Sequence, residues 1–174
     1  MLAMPRKNVL PEAAASTMTI DDLLTPDRVL RNSEARSKKH ALEIVSELIA
    51  AAEGKLTRGD VFDSLVGREK LGSTALGRAV AVPHGRLSGL ERSIGAFLRL
   101  AEPVDFDAPD GKPVDLIFAV VVPQACSAEE PRVIARIAEL LSDRQFRVML
   151  RQASSGRELY NLLVHAEADR SASA

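Results

Sequence analysis

Residues 114–122 read VDLIFAVVV, a nearly continuous apolar run closed by Pro123. A strand with one wet face alternates polar and apolar residues, so a run without that alternation belongs to a strand buried on both faces. Such a strand needs a covering layer above and below, and amphipathic helices along the chain supply them. Residues 37–53 place Ala41, Val45, Leu48, Ile49 and Ala52 on one helical face, widened by Leu42 and Ile44. Thr57 opens a second helix with Asp60 at capping-box spacing and Leu56 and Val61 placed as a hydrophobic staple, which carries Phe62, Leu65 and Val66 inward. Val133, Ile134, Ile137, Ala138, Leu140 and Leu141 form a third apolar face. Asp143 caps a short helix through about Gln152, and Ser155 with Glu158 opens the last, with Leu159, Leu162 and Leu163 inward and His165 at its end.

Between these helices lie short apolar or alternating stretches. Residues 28–31 suit a brief edge strand, 79–82 a buried strand that stops at Pro83, and 93–100 a longer strand with Phe97 in the core. Thr19 caps a turn of helix over 19–24, and Ala108-Pro109-Asp110-Gly111 makes a tight turn. The pattern predicts an α/β fold: a single-domain sandwich with a mixed β-sheet flanked by helices. Residues 1–18 and 167–174 read as tails around a domain over 19–166.

Composition narrows the chemistry. A net charge of -1 gives no general attraction to nucleic acid or to an anionic membrane, and aromatics at 3% leave few stacking surfaces for single strands. No run reaches the roughly 18 apolar residues of a membrane span, and the first residues lack the apolar core of a signal peptide. The single cysteine, Cys126, cannot form an intramolecular disulfide or a thiolate cluster, which suits a reducing cytoplasm. The three histidines are far apart in sequence and none lies in an HExxH motif, so no metal site is expected. His40, beside Lys38 and Lys39, reads as an ordinary solvated residue.

His84 stands apart. It follows the strand-breaking Pro83 and precedes Gly85, whose missing Cβ leaves room for a turn and a close approach, and Arg86 adds a fixed positive charge. A neutral imidazole keeps a lone pair able to attack a phosphoryl group, and phosphoryl transfer asks mainly for positioning and positive charge. Arg68, Arg78 and Arg86 are the nearby cations in sequence, and Ser73 and Thr74 the nearby hydroxyls. Each has a structural use as well: Arg68 ends a helix, and a Ser-Thr pair makes turns.

Three separated stretches, REKLGST at 68–74, AVAVPHGR at 79–86 and FDAPDGKPVDLIFAVVVP at 106–123, resemble the nitrogen-regulatory IIA protein family of the bacterial phosphotransferase system and its fructose and mannitol relatives, over about residues 20 to 165. The resemblance implies that His84 is the phosphoacceptor, that Arg68 lies beside it, and that the donor is a histidine phosphocarrier protein of the nitrogen relay. It further implies that the two charge states bind different regulatory targets. No cofactor is implied, and the chain would act as a carrier more than as a multiple-turnover enzyme.

Two departures from the family pattern bear on the site. Where the family commonly reads Gly-Asn-Gly, this chain has Gly77, Arg78 and Ala79; if the backbone there needs φ > 0, Ala79 costs about 1 to 2 kcal/mol. Where the family commonly has a second histidine, seven residues after the VVP proline, this chain has Glu130. Glu130 also has a structural use, as partner to Ser127 in a capping box or as the cap before Pro131. Facing the site, it would repel a phosphoryl group. Besides the phosphoryl carrier, the sequence thus fits a binding module that works without phosphate and has lost relay activity.

Overall fold

Hydrogen bonding on both edges of one long apolar strand organises the sheet. The structure is a computed structural model that describes residues 18–126 and 128–172, with the side chains of the last helix described as far as Ala166. In chain order the first half contains α1 (Ile20–Leu23), β1 (Val29–Ser33), α2 (Lys38–Ala50), α3 (Arg58–Glu69), β2 (Ala75–Gly77), β3 (Val80–Ala81) and β4 (His84–Leu87). The second half contains β5 (Ile94–Val104), β6 (Val114–Pro123), α4 (Glu129–Ser142), α5 (Arg144–Gln152) and α6 (Gly156–Ala172).

The six strands form one mixed sheet ordered β1-β5-β6-β3-β2, with β4 also paired to β6. On one edge β6 runs antiparallel to β5, and on the other it takes β3 and then β4 in succession, both parallel. Its side chains alternate between two cores. Leu116, Phe118, Val120 and Val122 join the cluster containing the apolar faces of α4, α5 and α6, while Ile117, Ala119 and Val121 join the cluster built on α2 and α3. Both faces being covered, the strand needs no polar alternation. Phe118 meets Phe97 edge-on at 6.1 Å between centroids, a favourable aromatic geometry at the centre of the first cluster.

The helix starts follow their expected caps. Thr19 and Asp22 form a reciprocal capping box, Thr57 accepts from the Asp60 N–H at 3.1 Å, and Asp143 accepts from Phe146 at 3.1 Å. Several details differ from expectation. In α3 the innermost side chains are Val61 and Leu65, with Phe62 and Val66 half-buried at the margins. β5 runs four residues beyond Leu100 and is buried on both faces over its first seven positions. Helix α6 continues to Ala172, so His165 is an exposed residue within it rather than at its end, and the helical backbone passes beyond residue 166. The tail expected over 1–18 lies outside the described residues except for Met18, and Ser127 lies outside them too.

Three buried arginines bind helix ends, two of them linking a helix end to the sheet. Arg99 of β5 donates to the carbonyls of Leu150, Arg151 and Ala153 at the end of α5. Arg147 donates to Leu141 and Ser142 at the end of α4, and Arg28 to Leu23 and Gly95. Burial lowers all three below the usual arginine range. Apart from Gly95 of β5, the carbonyls they reach are the orphan acceptors that a helix C-terminus leaves, so the charge sits where the helix dipole favours a cation.

The link between β2 and β3 is strained. Gly77, Arg78 and Ala79 have φ of +86°, +57° and +65°, so two side-chain-bearing residues occupy the left-handed region. Replacing Ala79 with glycine should therefore stabilise the fold by about 1 kcal/mol, after the greater freedom of glycine in the unfolded chain is set against the relieved strain. A rise in the urea midpoint with unchanged slope would show it.

Candidate functional site

Glu69, at the end of α3, folds the REKLGST segment around itself. Its carboxylate accepts from the Thr74 N–H at 3.1 Å and the Thr74 hydroxyl at 2.5 Å, and it pairs with Lys38 of α2 at 2.7 Å. Thr74 in turn accepts from the Val82 N–H at 3.0 Å. This fixes the chain just before His84. Pro83 interrupts the edge of β6, yet its carbonyl still accepts from the Val120 N–H at 2.9 Å, and pairing resumes with His84 opposite Val120. His84 thus opens β4, where the sequence suggested the end of the preceding strand.

The Nδ1 atom of His84 lies 2.8 Å from the Val82 carbonyl oxygen. A carbonyl can only accept, so Nδ1 carries the proton and, in the neutral ring, Nε2 keeps the lone pair. Nε2 is 3.7 Å from Oε1 of Glu130, and Oε2 of the same carboxylate is 2.5 Å from Nε of Arg86. His84 and Arg86 are two apart on one strand and share the face turned toward α4, whose second residue is Glu130. The His84 and Glu130 side chains are 12% and 13% exposed and that of Arg86 44%, so the imidazole and carboxylate are mostly shielded while the guanidinium opens to solvent.

Gly85 faces the other way. A Cβ there would stand 2.2 Å from Oγ of Ser64 and 3.0 Å from its carbonyl oxygen, and that Oγ donates to the Arg86 carbonyl at 2.8 Å. The missing Cβ therefore admits α3, and Gly85 is part of β4 rather than a turn open to another molecule.

The other sequence candidates bond elsewhere. Arg68 donates to the Gly72 carbonyl at 2.9 Å, the use expected of a cation at a helix end, and no hydrogen bond or ion pair joins it to His84. Ser73 donates to Phe106 at 2.6 Å and accepts from the Ala75 N–H at 3.1 Å, so it and Thr74 are occupied within the turn. Arg78 is not a neighbour of His84. Val80 pairs with Leu116 and His84 with Val120, four residues or about 13 Å along β6. Arg78 lies beyond Val80 and reaches Ser142 at 3.2 Å.

Glu130 is not a cap. Ala128 holds the N-cap position of α4 without a side-chain bond, and Pro131 is the third helical residue, where Glu130 before it as cap would have made it the first. The role of Glu69 was missed, because a glutamate ending an amphipathic helix reads as solvated. His40 is half-buried, and its Nδ1 accepts from the Arg36 N–H at 3.2 Å. Among the described residues no cluster of three or more His, Cys, Asp or Glu is placed to hold a metal, and no helix is long and apolar enough to cross a membrane.

A family model described as phosphoenolpyruvate-dependent sugar phosphotransferase system, EIIA 2, matches residues 22–166. The chain belongs to that family. Within it the likeness is to nitrogen-regulatory proteins. The "Nitrogen regulatory protein" of Pseudomonas aeruginosa is 42% identical over 148 residues, covering 85% of this chain and 96% of that one. The crystal structure of nitrogen regulatory protein IIA-Ntr from Neisseria meningitidis superposes with a TM-score of 0.78 at 42% identity, over 83% of this chain and 98% of that one. The Escherichia coli mannitol IIA structure, at 24% identity, shares the fold with a TM-score of 0.68 over 80% of this chain and 98% of that one. The mixed sandwich expected from the apolar run is thus the fold of the IIA family.

Two outcomes follow from the local geometry. Gly85→Ala forces the new methyl into Ser64 and should destabilise the protein by about 1 to 3 kcal/mol, the usual range for overpacking, seen as a lower denaturation midpoint. At the other end of β6, the N–H groups of Arg78 and Lys112 hold the Asp110 carboxyl below its usual range. A depressed folded pKa contributes stability that is present above the unfolded value of roughly 3.9 and lost as pH falls through the folded one. Asp110→Asn should therefore flatten the loss of stability in acid, measured as urea midpoints from pH 5 down to pH 2.

Proposed function

We propose that this IIA protein carries a phosphoryl group on Nε2 of His84, received from a histidine phosphocarrier protein of the nitrogen relay, and that its phosphorylation state governs regulatory partner proteins. The observation that carries this reading is the 2.8 Å contact of Nδ1 with the Val82 carbonyl, which leaves Nε2 as the nucleophilic nitrogen. In the transfer, the Nε2 lone pair forms the new P–N bond while the P–N bond of the donor phosphohistidine breaks. The electron pair of the broken bond returns to the donor's imidazole, and the Nδ1 proton stays on His84, held by Val82. No nucleotide, metal or cofactor enters this step.

Arg86 is the cation assigned to the phosphoryl oxygens, because it is already drawn to an anion at Nε2. Arg68 is assigned a supporting part: its one bond to Gly72 leaves other N–H groups free to turn to an anion. A phosphoryl group brings up to two negative charges to a half-shielded surface, enough to alter which partner fits there. A cytoplasmic setting suits the exposed thiol of Cys126.

A second reading rests on Glu130. Its carboxylate already gives the site a fixed negative charge, as a binding module that works without phosphate would need. Intact mass at alkaline pH, after incubation with the host's charged phosphocarrier protein, separates the two. The expected result is a single phosphoryl adduct on the wild type and none on His84→Ala. No adduct on either, from a donor that labels another acceptor, would leave the binding module as the function.

A further inference from the structure

We infer that Glu130 is a competing anion at His84, one that holds Arg86 in the unmodified protein and must release it before a phosphoryl group can settle on Nε2. This rests on the phosphoryl-carrier reading above and concerns what sets the position of its equilibrium.

The geometry is one carboxylate shared between two partners. Oε2 takes the Arg86 Nε–H at 2.5 Å, and Oε1 stands 3.7 Å from the nitrogen that would be phosphorylated. A phosphorus bonded to Nε2, with its oxygens beyond it, falls inside that 3.7 Å. Glu130 and the phosphoryl group therefore cannot both keep these places. They also carry the same sign of charge and seek the same guanidinium, so the carboxylate must swing away as Arg86 turns to the phosphoryl oxygens. Glu130 is the second residue of α4, where an unpaired carboxylate is favoured by the helix dipole and the side chain has torsions to spare, so displacement does not require α4 to move.

Phosphorylation here is consequently an exchange of anions on Arg86. A site whose cation waits without a partner gains a new ion pair when the phosphoryl group arrives. This site breaks one and makes one, and leaves a displaced carboxylate close to the newcomer. The bond to His84 forms in the same way, but its equilibrium shifts back toward the donor. In practical terms the protein loads only when the donor pool is highly charged, and unloads readily.

The sign of the effect tests this. The equilibrium constant for transfer from the host's charged phosphocarrier protein is measured by intact mass at several donor ratios for the wild type, Glu130→Gln, Glu130→Ala and Glu129→Gln. Gln keeps an oxygen for the Arg86 N–H and loses the charge, and Ala loses both. Both should raise the constant at least tenfold, about 1.4 kcal/mol, while Glu129→Gln, next to it on the same turn, should change it less than twofold. A merely structural role for Glu130 would lower the constant in both variants.

Wild type and Glu130→Gln loading alike, or Glu129→Gln matching Glu130→Gln, would overturn the inference and leave the carrier reading standing. An adduct on Glu130→Gln with none on the wild type would uphold the competition and remove the carrier reading. An adduct on neither would overturn both.

Discussion

The bonding of β6 along both edges is the constraint on which the site depends. β5 takes one edge over most of its length, and the other is shared by two short strands with Pro83 between them. Because the second of those strands must resume register against Val120, His84 is placed to within the tolerance of a sheet ladder, although the peptide before it is a break. Val82, just before the proline, turns its backbone away from β6: its N–H donates to the Thr74 carbonyl and its own carbonyl accepts from the imidazole, while the Pro83 carbonyl serves the ladder. Alternation along one strand thus holds both the register and the ring.

The electrostatics of the molecule divide by location. At the helix ends, buried arginines meet backbone carbonyls, acceptors that are fixed in place and cannot be protonated. At His84 the arginine meets a carboxylate on a side chain with several torsions. The first arrangement is rigid and independent of pH across the range in which proteins fold. The second can be rearranged by a competing anion, which is a property that a site exchanging charge requires.

Much of the fold was legible because one signal was unambiguous: VDLIFAVVV has no polar alternation, and only a strand covered on both faces tolerates that. The helices were legible through period and caps, and Thr19, Thr57 and Asp143 perform the bonds their spacing suggested. His84, Arg86 and Glu130 were each visible in the sequence, but their meeting was not, since it depends on the parallel register of β4 and β6 and on where α4 begins. Arg78 was misjudged for the same reason: it is six residues from His84 in sequence, yet the strand between them carries it to the opposite end of β6. The buried roles of Arg99 and Arg147 carried no local signal, because a charged residue in an amphipathic pattern ordinarily faces water.

The hydroxyl of Ser64 has a wider significance than its place in α3 suggests. By occupying the Arg86 carbonyl, and with Gly85 letting the helix lie flush against the strand, it removes an acceptor from the outer border of β4 and puts a helix where another extended chain would have to align. A visiting protein therefore cannot recognise this end of the molecule by adding a strand, the route that relies on main-chain groups and is largely indifferent to charge. It must read side chains. On this face those are a histidine, an arginine and a glutamate, so recognition here is bound to answer to their charge.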